Sequence, residues 1–201
     1  MVEHQEGVLT LFSDGTFERC TDLHVPPSHE IARGSVVTRD VEINPDTRVW
    51  ARLFRAEAIK PLLPPPFGLR KVPIVLHFHG GGFCVGSPAA AHTDAFCRTM
   101  SFHTKCLWVS VGYRLAPEHK LPAAYEDGIS AFRWLSVTDD PWISELGDVG
   151  RVFVAGESAG ATMVHYVAGG IAQEDQKVGK VSAITGLLLV HPAFPQEKPA
   201  Y

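Results

Sequence analysis

Two short runs carry residue types that could act together on a carbonyl compound. The first is Gly156-Glu157-Ser158-Ala159-Gly160, set between the apolar run Val152-Phe-Val-Ala155 and the small and apolar residues of a helix. A serine hydroxyl is a poor nucleophile at neutral pH and must stand clear of the backbone, where a base can reach it. A tight strand-to-helix turn does this. Glycines at 156 and 160 leave room for the turn, because side chains there would strike the neighbouring strand or helix. The helix that follows aims free N–H groups, beginning with that of Ala159, at the space beside the serine, where an attacked carbonyl gathers negative charge. The second run is His79-Gly80-Gly81-Gly82, at the end of another apolar stretch. The N–H groups of Gly81 and Gly82 can turn toward the same carbonyl oxygen and, with Ala159, form an oxyanion hole. Each such donor is typically worth about 3 to 4 kcal/mol of transition-state stabilisation. His79 is read as a structural residue that fixes the glycine loop, because the hole must lie on the opposite side of the carbonyl from the base. Glu157 is read as packing under the turn, and His77, His103, His119 and His165 as structural histidines.

The elements that must position these runs follow from the hydrophobic pattern. Val72 to His79, Cys106 to Tyr113, Arg151 to Gly156 and Ile184 to Val190 read as four apolar strands. Between them, Ala89 to His103, Pro122 to Val137 and Ser158 to about Gln173 read as helices. Strands apolar on both faces, alternating with helices, predict a parallel sheet covered by helices on both sides. In such sheets functional loops gather beyond the carboxyl ends of the strands, where both runs fall. Upstream, Ser35 to Ile43 and Arg48 to Arg55 predict an antiparallel edge pair joined by Asn44-Pro45-Asp46-Thr47. Ser13-Asp14-Gly15 predicts a hairpin within residues 7–19. The segments 22–31 and 56–71, the latter with Pro61, Pro64, Pro65 and Pro66, read as irregular.

Composition narrows the classes. The chain has 201 residues, 45% hydrophobic and 20% charged, which fits one soluble domain over 1–201. A net charge of −4 and the absence of a basic run interleaved with aromatics argue against a nucleic-acid partner. No stretch approaches the roughly 20 apolar residues of a membrane span, and the polar N-terminus has no apolar core of a signal peptide. A cytosolic or nuclear location is the expectation. Cys20, Cys84, Cys97 and Cys106 occur singly, without the spacing of a zinc or redox site. They are read as reduced thiols, with Cys84 buried near the glycine loop.

His79-Gly80-Gly81-Gly82-Phe83, Tyr113-Arg-Leu-Ala-Pro-Glu-His119, Leu121-Pro-Ala-Ala-Tyr125 and Gly156-Glu157-Ser158-Ala159-Gly160 occur in that order. Together they resemble the hormone-sensitive-lipase group of α/β-hydrolases, and within it the plant carboxylesterases. The resemblance implies an α/β-hydrolase fold acting on small or medium carboxylic esters, with no metal and no organic cofactor. It also implies that residues 1–34 help to cap the pocket. In that family the acid and base follow the nucleophile, after two further strands. The chain stops at Tyr201, so the fold is expected to lack its last strands and helix, and the activity to be impaired. Asp175 satisfies the order but lies some 15 positions along a helix, roughly 20 Å from the active edge. His191 lies at the correct edge without an identifiable orienting carboxylate.

Two rivals share the resemblance. Gibberellin receptors have the same layout but carry a serine where this chain has Gly82, and some plant relatives are carbon–oxygen lyases. The identity of the substrate and the oligomeric state stay open at this level.

Overall fold

Glu3–Gln5 (β1), Leu9–Leu11 (β2) and Phe17–Arg19 (β3) pair antiparallel in a small sheet. This is seen in a computed structural model that describes residues 3–5, 9–19, 24–27, 35–59, 71–178 and 184–194. The turn between β2 and β3 forms where Asp14-Gly15 predicts it. Asp14 Oδ1 accepts the backbone N–H of Thr16 at 2.9 Å and its hydroxyl at 2.6 Å, and Gly15 takes φ +86°. The polar strand β1 was not expected, because Glu-His-Gln carries no apolar alternation. Cys20, the segment 28–34 and the proline-rich residues 60–70 lie outside the described residues.

The main sheet is built from β4 (Val36–Asn44), β5 (Val49–Ala56), β6 (Val72–Phe78), β7 (Leu107–Gly112), β8 (Gly147–Glu157) and β9 (Ile184–Val190). Their spatial order is β4-β5-β7-β6-β8-β9. The β4–β5 and β5–β7 pairings are antiparallel and the other three parallel, so β5 alone runs against the rest. The predicted turn between β4 and β5 is held by Asn44 Oδ1, which accepts the N–H groups of Asp46 at 3.0 Å and Thr47 at 3.3 Å. The third parallel strand starts earlier than its apolar run, because Gly147 and Asp148 already pair with Val72 and Pro73 before a register shift. A five-residue helical turn, Trp142–Leu146, leads into it and has no counterpart in the sequence reading.

Helices α1 (Ala91–Thr104), α2 (Ala123–Val137) and α3 (Ala159–Val178) connect the parallel strands. On one face, Ala124, Ala131 and Leu135 of α2 and Met163, Val164 and Val167 of α3 pack on Ile74, Leu76, Phe78, Val109, Val152 and Val154. On the other, Cys97 of α1 packs with Phe54, Val75, Trp108 and Ala155. The expected mostly parallel sheet with helices on both faces is therefore present. Beneath α1 lies a buried ionic network that no motif announced. Arg52, 1% exposed, donates to Asp40 at 2.6 Å and to Asp94 at 3.1 Å, and Asp94 also accepts from Arg98 at 2.5 Å. Pairing of this kind offsets the cost of burying each charge. At the far edge, β9 leaves Leu187, Leu188 and Val190 exposed.

Candidate active site

Strand register assembles the site. β6 and β8 are adjacent and parallel, with Phe78 opposite Gly156, so the residues that follow, His79-Gly80 and Glu157-Ser158, emerge side by side. Chain order also reverses here, since β7 lies on one side of β6 and β8 on the other, and such a switch point opens a crevice at the strand ends. A methyl group placed on Gly80 would sit 3.5 Å from Ser158 Cβ, which measures how closely the glycine loop approaches the serine.

Ser158 is exposed and holds φ +51°, a conformation that side chains other than glycine rarely adopt. Its surroundings enforce this strain. Its backbone N–H donates to Val190 O of β9 at 2.9 Å, and its carbonyl accepts the N–H of Thr162 at 3.1 Å in the first turn of α3. The flanking glycines permit a close crossing. A Cβ on Gly156 would lie 2.4 Å from the Gly160 carbonyl, and one on Gly160 would lie 2.1 Å from Phe78 O. Ala159 is buried as the first residue of α3, where backbone N–H groups have no partner within the helix.

The loop after β6 turns through three successive residues with positive φ: Gly81 at +116°, Gly82 at +60° and Phe83 at +62°. It closes where Gly81 O accepts the N–H groups of Cys84 and Val85, each at 3.0 Å. Among the described residues, the N–H groups of Gly81 and Gly82 donate to no backbone acceptor. Gly82 is exposed.

His79 braces this loop. Its Nδ1 donates to Gly80 O at 2.7 Å, which places the ring proton on that nitrogen. The Tyr113 ring stacks on it at 4.3 Å, and the Tyr113 hydroxyl donates to His79 O at 2.7 Å. Burial pushes the Tyr113 phenol well above its ordinary range, so it remains a neutral donor. Arg114 anchors the next loop to α2 through the buried carboxylate of Asp127, with the Arg114 N–H at 2.8 Å and Nη2 at 2.7 Å. Cys84 is half-buried rather than buried, because the loop that carries it lies at the surface.

The remaining candidates are apart from the serine. Burial drives the His77 imidazole down to about 3, with His79 adding to the effect, and its Nδ1 lies 3.0 Å from Ser110 Oγ. Cys97 Sγ lies 3.5 Å from the same nitrogen, and burial raises its thiol far out of the reactive range. This Ser-His-Cys cluster belongs to the packed interior. Asp175 falls near the far end of α3. His191 is exposed just past β9 with φ +50°, and among the described residues no hydrogen bond joins it to Ser158. No group of three or more metal-ligating side chains is found among the described residues.

A sequence profile described as the alpha/beta hydrolase fold matches residues 75–201, which include both loops. The chain belongs to the α/β-hydrolase family. The chain is 38% identical over 201 residues to probable carboxylesterase 6 of Arabidopsis thaliana, covering 98% of this chain and 57% of the relative. It is 34% identical over 191 residues to tuliposide A-converting enzyme b1, amyloplastic, of Tulipa gesneriana, covering 92% and 46%. Among solved structures, an esterase of Pyrobaculum calidifontis matches with a TM-score of 0.60 and 32% identity over 83% of this chain and 46% of that one. An esterase of Mycobacterium marinum matches at 0.62 and 29%, over 84% and 48%. These relatives agree with the motif resemblance, and the family branch is that of the carboxylesterase-type hydrolases. The chain spans 46–60% of the length of such curated relatives.

Proposed function

We propose that the protein hydrolyses carboxylic esters of small or medium molecules with Ser158 as nucleophile. Ser158 Oγ adds to the ester carbonyl, its proton passing through solvent water to the departing alcohol oxygen, and the N–H groups of Gly81, Gly82 and Ala159 receive the oxygen that becomes negative. Collapse expels the alcohol and leaves an acyl group on Ser158, which water then removes. No metal or organic cofactor enters this scheme. The observation that carries it is the closeness of Gly80 to an exposed Ser158 held at φ +51°, such that a methyl group added to Gly80 would stand 3.5 Å from Ser158 Cβ. That closeness supports the reading that the open amides of the glycine loop serve the hydroxyl as an oxyanion hole. His79 then has a bracing role, and Gly80, Gly156 and Gly160 serve the close crossing.

Without a base hydrogen-bonded to Ser158 among the described residues, the 201-residue chain on its own is an impaired catalyst. An oxyanion hole still favours slow attack by an unassisted serine on an activated aryl ester, because it receives the developing negative charge. Hydrolysis of p-nitrophenyl acetate by the purified chain should therefore be slow but measurable, and Ser158→Ala should lower it to background. His191→Ala should leave the rate within about twofold, since His191 is not the base. A Ser158→Ala variant as active as the parent refutes the proposal.

A further inference from the structure

The glycine loop is strained and exposed, so something must hold it in one geometry. Glycine adopts positive φ freely at 81 and 82, but Phe83 at φ +62° persists only where surrounding contacts over-determine it. His79 and Tyr113 brace its inner side. On the outer side the contacts come from a distant part of the chain. Arg19, the last residue of β3, spreads its guanidinium over two loops. Its Nε donates to Cys84 O at 2.5 Å and its Nη2 to Ala116 O at 2.8 Å. The same side chain forms a fork with Glu118, Nη1 to Oε1 at 2.9 Å and Nη2 to Oε2 at 2.6 Å. The two carbonyls it gathers flank a third link, in which the Ala116 N–H donates to Phe83 O at 2.8 Å. One planar cation thus closes a ring of hydrogen bonds around the turn that presents Gly81 and Gly82.

We infer that Arg19 is a positioning residue for the oxyanion loop, so that the N-terminal three-stranded sheet sets the geometry of the hole through one guanidinium. This rests on the esterase reading above. The clamp is specific to arginine, because three of its N–H-bearing nitrogens are used in fixed directions and a lysine ammonium cannot span both carbonyls and the carboxylate. Phe17 supports the cation, with the guanidinium carbon 5.2 Å from its ring centroid. A second tie holds the following segment to the body: the Val25 N–H donates to Ala89 O at 2.8 Å, and Val25 O accepts from Arg52 at 2.7 Å. The small sheet is therefore anchored at its exit, and displacement of Arg19 acts locally on the loop.

The test compares Arg19→Ala, Arg19→Lys and the parent by p-nitrophenyl acetate kinetics and by amide hydrogen exchange, with urea midpoints recorded for each. The clamp predicts that Arg19→Ala lowers kcat about tenfold with KM within twofold. Exchange at Cys84, Val85 and Ala116 should rise at least tenfold, while the urea midpoint of the main sheet stays unchanged. Arg19→Lys should resemble Arg19→Ala rather than the parent. Native exchange at these amides in Arg19→Ala overturns the inference, and so does faster exchange with unchanged kcat, or full rescue by lysine. Failure of the esterase reading shows differently, as parent activity that Ser158→Ala does not remove.

Discussion

Gly160 and Gly169 lie on the same helix, and the same added methyl group should act on them in opposite directions. A Cβ on Gly160 would stand 2.1 Å from Phe78 O and 2.6 Å from His79 O, both backbone atoms. Restoring an ordinary separation requires α3 to retreat from the end of β6 by about 1 Å, and overpacking of this kind costs about 1 to 3 kcal/mol. The retreat carries Ser158 with it, two residues earlier, away from the glycine loop. A misplacement of about 1 Å can cost about 10²-fold in rate. At Gly169 nothing lies within 4 Å of the added carbon and the residue is exposed, so the interior of α3 gains about 1 kcal/mol from the better helix former. Urea unfolding and p-nitrophenyl acetate hydrolysis decide the matter together. Gly160→Ala should be destabilised and its activity should fall about 10²-fold or to the Ser158→Ala background. Gly169→Ala should be more stable with activity unchanged. Equal stability and activity in both variants would refute the claim that the crossing at Gly160 holds the serine in place.

Other outcomes follow from the bracing residues. Tyr113→Phe removes the 2.7 Å donation to His79 O while keeping the ring stack. It should cost about 1 to 2 kcal/mol in urea unfolding and speed amide exchange across 80–84; an unchanged midpoint and exchange pattern would count against the brace. His77 governs acid stability. Burial holds its imidazole at about 3 in the folded chain. In the unfolded chain it titrates near the ordinary value of about 6.5. As pH falls below that value the unfolded chain binds a proton that the folded chain refuses, so stability is present above it and is lost by about 1.4 kcal/mol per pH unit toward pH 3. His77→Gln should flatten the stability profile between pH 6.5 and 4.5 by about that slope. Parallel profiles would show that His77 does not contribute it.

Local chemistry was legible in the sequence where a single segment decides it. Asp14-Gly15-Thr16 and Asn44-Pro45-Asp46-Thr47 make the turns their side chains dictate, and the four apolar runs become the four parallel strands. The approach of residues 79–82 to Ser158 follows from those runs once β6 and β8 are neighbours, and neighbourhood is a long-range property that periodicity does not encode. Arg19 was invisible for the same reason, since its partners lie 65, 97 and 99 positions away. The buried face of α1 consists of Thr93, Asp94, Cys97 and Ser101, so its core side looks polar, and the charge network with Arg52 gives no hydrophobic signal. The strand β1 and the helical turn Trp142–Leu146 are short enough that tertiary pairing, rather than propensity, forms them.

The central claim is that Ser158 stands poised as a nucleophile beside an oxyanion hole, and prolonged reaction with an alkyl fluorophosphonate probe tests it most directly. The phosphoryl oxygen of the probe mimics the oxyanion, so peptide mapping by mass spectrometry should find one adduct per chain, on Ser158. Ser158→Ala should take up none, and Gly160→Ala should react far more slowly. An adduct spread over other serines, or none on Ser158, would contradict the account.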